Sequence, residues 1–390
     1  MIPYGKHHVD ENDIQAVAEV LRNGLLTQGP IIDAFEKAVA KFVGAKYAVA
    51  VSSGTTGLHL AALVAGVTTG KSMITSPITF VASSNAALYC GGNVIFTDID
   101  PQTINISPKH LSKTLLYNKD VVAIMPVHFA GLPCEMDIIK QIADNVGAVV
   151  IEDAAHAFGS KYKDGQLVGS CAYSLMTVFS FHPVKAIAAG EGGMITTNDE
   201  PTYRKLLRLR SHGINKLDDP FLITAQSVSD GHNNPWYYEM QELGFNFRIT
   251  DIQCALALSQ FKKLDVFIER RRKLVKTYDK AFSNFKNIRP AQTTGRDESG
   301  HHLYIIRINF DGIKMNRAQL MEKLKDQGIG TQVHYIPVPA QPYYRKLGFK
   351  PEDYPNAIAF YNEALSIPLF YDLSDEMQAK VISALKELVG

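Results

Sequence analysis

The sequence predicts an α/β protein made of a large domain with a mostly parallel seven-stranded sheet and a smaller C-terminal α+β domain. Seven short apolar runs alternate with helical stretches between about residues 47 and 197. The runs are near-continuous in apolar residues, as strands covered on both faces require. Beyond about residue 250, strands and helices alternate in roughly the last third of the chain. We therefore predict domains at residues 1–250 and 251–390, joined by a long helix.

Local signals place the elements of the large domain. Asp10 is a suitable N-cap for a first helix, in which Ile14, Val17 and Leu21 recur at helical spacing, and Asn23 and Gly24 end it. A second helix spans about residues 30–42, before Gly44. The seven predicted strands are residues 47–51, 73–75, 94–97, 121–125, 148–151, 174–181 and 193–197.

The C-terminal part follows the same reasoning. We expect one long helical stretch over residues 250–285, then a Gly/Thr/Asp-rich connection, a strand over 302–310, a helix over 316–327 and a strand over 331–335. The least patterned segment, 218–236, is predicted to be a loop.

Composition restricts the function. The 390 residues carry 40 Lys+Arg and 39 Asp+Glu, a formal net charge of +1, so no excess of positive charge is available for a nucleic-acid partner. The four cysteines form no CxxC pair and no metal-ligand spacing, which predicts no metal site and fits a reducing cytoplasm. We see neither a signal peptide nor a membrane span, and we expect a cytoplasmic protein that acts on a small molecule.

The first chemical motif is Ser52-Ser53-Gly54-Thr55-Thr56-Gly57, between the strand that ends at residue 51 and a helical run over 58–65. Such a turn aims backbone N–H groups, hydroxyls and the helix dipole at one point, which suits a phosphate. Many strand-to-helix turns have the same composition for packing reasons alone.

The second motif is Glu152-Asp153-Ala154-Ala155-His156, at the end of a predicted strand. Ligands of parallel sheets gather at the carboxyl ends of strands, so an ionised Asp153 is suited to hold a cationic partner. The alternative is that it caps the next helix.

The third motif surrounds Lys185, which lies in an apolar and small-residue segment between Phe179 and Gly193. Burial lowers the pKa of a lysine towards the neutral amine that a nucleophile needs. The alternative is a lysine whose stem packs on the protein while its ammonium group reaches water.

Together, the order and spacing of these motifs resemble those of the fold type I enzymes that use pyridoxal 5′-phosphate (PLP). The strings SSGT, TFVA, EDAAHAFG, GEGG and LGFNFR are similar to those of the DegT-like nucleotide-sugar aminotransferase family, over nearly the whole chain. Within the family, the motifs around Lys185, residues 210–213, 302–304 and 332–335 are most similar to those of pseudaminic acid biosynthesis. The resemblance implies amino transfer from L-glutamate to C4 of UDP-2-acetamido-2,6-dideoxy-β-L-arabino-hex-4-ulose, a UDP-4-keto sugar, with pyridoxamine 5′-phosphate as intermediate.

The resemblance also implies residue roles. Lys185 is the expected catalytic lysine, which forms the Schiff base with PLP, and Asp153 is expected to pair with the pyridine nitrogen. The remaining cofactor residues are His156 near the phenolic oxygen, Phe80 on the ring face, and Gly54, Thr55, Ser180 and the partner subunit's Asn246 at the phosphate. A homodimer with shared active sites follows from that last assignment.

For the sugar nucleotide, the family pattern implies Tyr4, Gly24, Leu25, Leu26, Thr27, Gln332, Val333, His334 and Tyr335. Tyr4 as a terminal anchor and His334 as an ordinary strand residue remain alternatives. So do a C4 aminotransferase for another nucleotide sugar, of perosamine or bacillosamine type, and a non-catalytic regulatory protein. A PLP-dependent sugar dehydratase is a further alternative, although those relatives carry His at the position of Lys185. The segment 218–236 is longer than the family pattern leads us to expect.

Overall fold

The computed structural model describes residues 1–216 and 219–390. The helices of this part are α1 (Glu11–Asn23), α2 (Pro30–Val43), α3 (Gly54–Val64), α4 (Ala82–Tyr89), α5 (Pro108–Tyr117), α6 (Met136–Asp144), α7 (Glu200–Arg210), α8 (Thr224–Ser227), α9 (Asp251–Phe261), α10 (Leu264–Phe282), α11 (Arg317–Asp326), α12 (Pro342–Lys346), α13 (Pro355–Glu363) and α14 (Asp375–Val389).

The strands of the same part are β1 (Tyr47–Val51), β2 (Ser72–Thr75), β3 (Asn93–Phe96), β4 (Val121–Met125), β5 (Val149–Asp153), β6 (Met176–Ser180), β7 (Gly193–Thr197), β8 (Ile214–Asn215), β9 (Val228–Ser229), β10 (His232–Asn233), β11 (Glu239–Met240), β12 (Ile288–Pro290), β13 (Tyr304–Ile308) and β14 (Ala364–Ile367).

The central sheet confirms the predicted fold class. Its strand order is β1-β7-β6-β5-β4-β2-β3, with β7 antiparallel to both of its neighbours and the other pairs parallel. One face packs on α2, α5, α6 and α9 through side chains such as Phe35 and Ile139, and the other packs on α3, α4 and α7. The result is a sheet buried between two layers of helices, which explains why its strands are apolar throughout.

A second core lies at the C-terminal end. The antiparallel sheet β12-β13-β14 packs on α10, α11 and α14. The chain passes from the first core to the second within α10, since Ile268 belongs to the first and Leu274 to the second. Ile2 also belongs to the second core. The proposed division at residues 250 and 251 stays a prediction.

Three predicted elements are wrong in detail. The helical stretch over residues 250–285 is two helices, because α9 ends at a C-cap residue, Lys262, and α10 starts at Leu264. Residues 331–335 form no strand, because only Gln332 makes a bridge, to Ser366. The segment predicted as a loop contains α8 and the β9–β10 hairpin, while its first residue, Asp218, lies outside the described residues.

Within the described residues, no helix combines the length and apolar character that crossing a membrane requires.

Candidate active site

A cavity of about 660 Å³ opens where β5 and β6 end and α3 begins. Asp153, the last residue of β5, and Ser180, the last residue of β6, both line it. The turn after β6 carries Lys185 into the same cavity and is closed by backbone hydrogen bonds from Lys185 to His182 and from Ala189 to Phe181, each 2.8 Å. The cavity therefore lies at the carboxyl edge of the sheet, where parallel α/β proteins bind ligands.

The phosphate-type turn forms the first turn of α3. Ser53 caps this helix by accepting a hydrogen bond from the Thr56 backbone N–H, and the helix starts at Gly54, earlier than the helical run that the sequence indicates. A Cβ atom at Gly54 would come within 2.8 Å of the Ser180 Cβ, so only glycine fits against β6 here. Gly54, Thr55 and Ser180 thus bring a helix N-terminus and two hydroxyls to the cavity wall, an arrangement that favours an anion.

Lys185 contributes a half-buried amine. Loss of hydration lowers its pKa to about 8, against an opposing effect of the nearby Asp153 charge. In the described part of the chain, no carboxylate lies within 4.0 Å of its Nζ atom. A lysine in this environment is substantially neutral near pH 8, and a neutral amine can act as a nucleophile and as a proton carrier.

Asp153 is buried, and both of its carboxylate oxygens accept hydrogen bonds. Oδ2 accepts one from the Ser83 hydroxyl at 2.6 Å, and Oδ1 accepts one from the Ala155 backbone N–H at 3.1 Å. Burial raises the pKa of Asp153, while these two hydrogen bonds and the Lys185 charge offset part of that effect. Each oxygen keeps lone-pair capacity for a ligand.

His156 lies on the same wall, next to Tyr335. Its Nδ1 accepts a hydrogen bond from the Ala130 backbone N–H at 3.3 Å, so in the neutral ring the proton is on Nε2, 3.2 Å from the Tyr335 hydroxyl. Burial is the main cause that holds the pKa of His156 well below its ordinary value. The Phe80 ring is 58% exposed and lines the cavity, so it offers an open aromatic face to a ligand.

The opposite wall comes from the N-terminus and the segment after α11. Tyr4, Gln332, Val333, His334 and Tyr335 all line the cavity. The Tyr4 and His334 ring centroids are 5.3 Å apart, and His334 Nδ1 lies 2.7 Å from the Ser366 hydroxyl.

Tyr4 is also anchored through its backbone, because its carbonyl accepts a hydrogen bond from the Leu369 N–H at 3.0 Å. The Tyr4 backbone can therefore anchor the N-terminus while its side chain remains available to a ligand.

Four residues predicted for this site, and Asn246, predicted for the site of the partner subunit, lie outside the cavity. Among the described residues, Gly24, Leu25, Leu26, Thr27 and Asn246 are absent from the lining of this cavity, and all five are exposed. Thr27 bridges to Thr250, the Leu26 carbonyl accepts a hydrogen bond from the Asp251 N–H at 3.0 Å, and Asn246 bridges to Ser211. They lie on the outer surface of the protomer.

Thr79, Ser83 and His302 are polar residues of the cavity wall that have no role among the sequence-based predictions. Thr79 and Ser83 flank Phe80 in the sequence, and their hydroxyls are 2.6 Å apart. The hydroxyl-rich run after Phe80 was the available signal. The third residue is His302, whose ring centroid lies 4.4 Å from that of His156 and whose buried Nδ1 has no hydrogen-bond partner in the described structure.

Comparison with known proteins now identifies the family. A model of the DegT/DnrJ/EryC1/StrS aminotransferase family matches residues 7–386. The chain belongs to this family.

Three relatives illustrate the similarity. The spore coat polysaccharide biosynthesis protein SpsC of Bacillus subtilis is 38% identical, over 100% of this chain and 97% of the relative. A UDP-4-amino-4,6-dideoxy-N-acetyl-beta-L-altrosamine transaminase of Campylobacter jejuni is 38% identical, over 96% of this chain and 94% of the relative. The structure of Helicobacter pylori PseC, an aminotransferase involved in pseudoaminic acid biosynthesis, has a TM-score of 0.89 and 30% identity, covering 100% of this chain and 99% of the other.

Members of the DegT/DnrJ/EryC1/StrS family are PLP-dependent sugar aminotransferases, and this chain is one of them. The cavity fits the cofactor in three respects: a glycine-dependent helix N-terminus beside Ser180 for the phosphate, the exposed face of Phe80 for the ring, and a Lys185 amine without an ion-pair partner within the described residues. The predicted fold type and cofactor are thereby confirmed.

Proposed function

We propose that this sugar aminotransferase transfers the amino group of L-glutamate to C4 of UDP-2-acetamido-2,6-dideoxy-β-L-arabino-hex-4-ulose, in the biosynthesis of pseudaminic acid. The observation that carries the chemistry is the pair formed by Lys185 and Asp153 at one edge of the sheet, in one cavity. The choice of sugar is supported by the names of the Campylobacter and Helicobacter relatives.

Lys185 is proposed as the catalytic residue. PLP, when bound, would supply an aldehyde carbon that carries the amino group from one substrate to the next and an electron-withdrawing ring that stabilises negative charge on the reacting carbon. The Lys185 amine would hold the cofactor covalently at rest, and its Nζ atom would then carry the proton from the substrate carbon to the cofactor carbon that bears the amino nitrogen, and the other way in the second half-reaction. A pKa of about 8 allows the same atom to act as a base and as an acid near neutral pH.

Asp153, His156 and Phe80 are proposed to hold the ring. An ionised Asp153 keeps the pyridine nitrogen protonated, which a neutral residue would not do. His156 is fixed by the Ala130 backbone N–H on Nδ1, and its Nε2–H group donates to the Tyr335 hydroxyl at the cavity wall. Gly54, Thr55 and Ser180 are proposed to bind the phosphate, through the N-terminus of α3.

A homodimer is proposed to complete each site. Asn246 and the residues 24–27 are exposed on the outside of the protomer, yet the family pattern assigns them to phosphate and sugar-nucleotide binding. Both assignments hold together if these residues reach the cavity of a second copy. Large apolar side chains in the same surface region are exposed, among them Leu25, Leu26 and Leu243, which supports burial against a partner.

The sugar nucleotide is proposed to lie along Tyr4 and the segment Gln332, Val333, His334 and Tyr335. Burial is the main cause that lowers the pKa of His334 to about 4, so this imidazole is neutral at physiological pH and can hydrogen-bond a sugar hydroxyl. The four cysteines of the chain are free thiols, which supports the cytoplasm as the proposed compartment.

The test is an assay of purified protein with L-glutamate against a panel of UDP-, GDP- and dTDP-linked 4-keto sugars. We expect the proposed UDP-sugar to be aminated at C4 with the highest kcat/KM. A clear preference for a perosamine-type or bacillosamine-type precursor would replace the proposed substrate and keep the enzyme class.

A further inference from the structure

Two hydroxyl groups form a buried chain behind Asp153. The Thr79 hydroxyl lies 2.6 Å from the Ser83 hydroxyl, and the Ser83 hydroxyl lies 2.6 Å from Oδ2 of Asp153. Thr79 is 3%, Ser83 1% and Asp153 4% exposed, so all three groups are largely shielded from bulk water. The chain connects the turn before α4 and the first turn of α4 to the end of β5.

The direction of these hydrogen bonds follows from the chemistry of the groups. An ionised carboxylate only accepts hydrogen bonds, so Ser83 donates its single hydroxyl proton to Asp153. The Phe80 carbonyl is a weaker competitor for that proton, at 3.3 Å from the Ser83 oxygen. Since the Ser83 proton is used, Thr79 must donate to Ser83. The relay therefore runs from Thr79 through Ser83 to Asp153.

Burial raises the pKa of Asp153, and the hydrogen bond from Ser83 opposes this rise. Asp153 has two hydrogen-bond donors in the protein, the Ala155 backbone N–H on Oδ1 and Ser83 on Oδ2. Ser83 is the only side chain of the described residues that donates to this carboxylate. Hydrogen bonds to an ionised group are stronger than those between neutral groups, and a donor that is itself polarised by Thr79 is stronger still.

We propose that Thr79 and Ser83 are positioning residues that keep Asp153 ionised and fix its carboxylate plane towards the pyridine nitrogen of the cofactor. This inference rests on the proposed role of Asp153. It adds two residues to the machinery, neither of which needs to touch substrate. It also gives a role to two of the buried hydroxyls in the segment around Phe80.

The chain offers a matched control one residue away. Ser84 lies on the same helix, is 0% exposed, and also makes a buried hydrogen bond, to the Tyr344 hydroxyl at 2.7 Å. Ser84→Ala therefore removes a hydroxyl from an equally buried position on α4 without touching Asp153. The pair Ser83→Ala and Ser84→Ala separates the effect on the carboxylate from the effect of losing a hydroxyl in this helix.

The experiment measures kcat, KM for glutamate, and the ¹⁵N chemical shift of PLP labelled at its pyridine nitrogen. For Ser83→Ala we expect kcat to fall about tenfold, with KM little changed and the ¹⁵N resonance shifted towards that of an unprotonated pyridine. Thr79→Val should change both readouts in the same direction by a smaller factor, and Thr79→Ser should restore them. Ser84→Ala should leave the ¹⁵N resonance at the wild-type position.

A wild-type ¹⁵N shift in Ser83→Ala would overturn the inference, as would a shift of equal size in Ser84→Ala. If Ser83→Ala does not fold, Thr79→Val and Thr79→Ser decide the question in the same way. Asp153→Asn tests the underlying assignment separately. Full turnover in Asp153→Asn would contradict the proposed role of Asp153, whereas a large loss there with no change in Ser83→Ala would overturn the relay alone.

Discussion

Glu152 and Asp153 are adjacent acids on β5, both buried, and they point to opposite faces of the sheet because side chains alternate along a strand. Glu152 faces a closed polar cluster. Its Oε2 accepts hydrogen bonds from His128 and from Tyr162, each at 2.7 Å, and its Oε1 accepts from Ser174 at 2.5 Å and from Thr177 at 3.0 Å. Asp153 instead faces the cavity, and it accepts only two hydrogen bonds, from the Ser83 hydroxyl and the Ala155 backbone N–H.

The two carboxylates differ in the sign of their pKa shift. Burial raises the pKa of Glu152, but the hydrogen bond and electrostatic attraction of His128 and the hydrogen bonds from Ser174 and Tyr162 outweigh burial, and the pKa lies below its ordinary value. His128 is held in place from its other side, since its Nδ1 accepts a hydrogen bond from the Cys134 backbone N–H at 3.1 Å and its Nε2 then donates to Glu152. For Asp153, burial outweighs its donors and the pKa is raised.

The comparison distinguishes an acid whose hydrogen-bonding capacity is used within the protein from one that keeps capacity for a ligand. Four donors use the lone pairs of Glu152, so its charge is compensated within the protein and is unavailable to a ligand. Asp153 keeps lone-pair capacity on both oxygens, at the edge of the sheet where Lys185 lies. A cationic group of a ligand, such as a protonated pyridine, is what this carboxylate lacks.

The largest effect is expected on the Asp153 side, from Lys185→Ala. Without the amine no group remains to carry the proton, so we expect turnover to fall at least about 10³-fold while pyridoxamine 5′-phosphate still binds. Steady-state kinetics and a cofactor-binding titration measure the two effects. The exposed Lys163 supplies a control, and full activity of Lys185→Ala would remove the assignment.

Asp153→Asn should have the next largest effect. The amide is nearly isosteric but has no charge, so we expect kcat to fall about 10²–10³-fold, the range seen when one preorganised electrostatic contact is lost. Turnover close to that of the wild type would contradict the role of Asp153. Glu152→Gln removes a carboxylate charge from the neighbouring position. Comparing the kcat values of the two variants shows whether the loss depends on where the charge is removed.

Glu152→Gln should change stability rather than chemistry. An amide NH₂ would face two donors of the cluster, so we expect the free energy of unfolding to fall by about 2–4 kcal/mol. The kcat per folded molecule should stay within about threefold of the wild-type value. Urea unfolding and active-site titration measure these quantities.

The stability difference between wild type and Glu152→Gln should also depend on pH. Because the folded-state pKa of Glu152 is lowered, its contribution is present above the ordinary value of 4.5 and is lost as the pH falls through the folded-state value. We expect the two proteins to converge in stability upon acidification. A difference that stays constant down to acid unfolding would show that the charge of Glu152 is not the cause.

The smallest effect concerns the cofactor loading of the apoprotein. Only a neutral Lys185 can attack PLP, so the rate of covalent loading should rise about tenfold per pH unit below pH 8 and level off above it, at the pKa of about 8. Stopped-flow absorbance measures the rate. A plateau that is reached only near pH 10.5 would indicate an ordinary exposed lysine.

The strands of the central sheet and the residues Lys185 and Asp153 could be predicted from the sequence, because they depend on local patterns. The apolar runs gave the strands, and the spacing of the motifs gave Lys185 and Asp153 as partners in one cavity. The donors of Glu152 could not be predicted, since His128 and Thr177 are 24 and 25 residues away along the chain. The same holds for the Tyr335 hydroxyl beside His156.

The wrong predictions have equally specific causes. No Gly or Pro marks the break between α9 and α10, where Lys262 and Lys263 fit a helical pattern as well as their neighbours do. Residues 331–335 have a strand-like composition, but only Gln332 finds a partner, at Ser366.

The most direct test of this account is transfer of ¹⁵N from labelled glutamate to the UDP-4-keto sugar by wild type, Glu152→Gln and Asp153→Asn, followed by mass spectrometry of the product. We predict one ¹⁵N atom per 4-amino sugar, at similar initial rates for wild type and folded Glu152→Gln, and a rate at least about 10²-fold lower for Asp153→Asn. No labelled sugar from the wild-type protein, or equal impairment of the two variants, would contradict it.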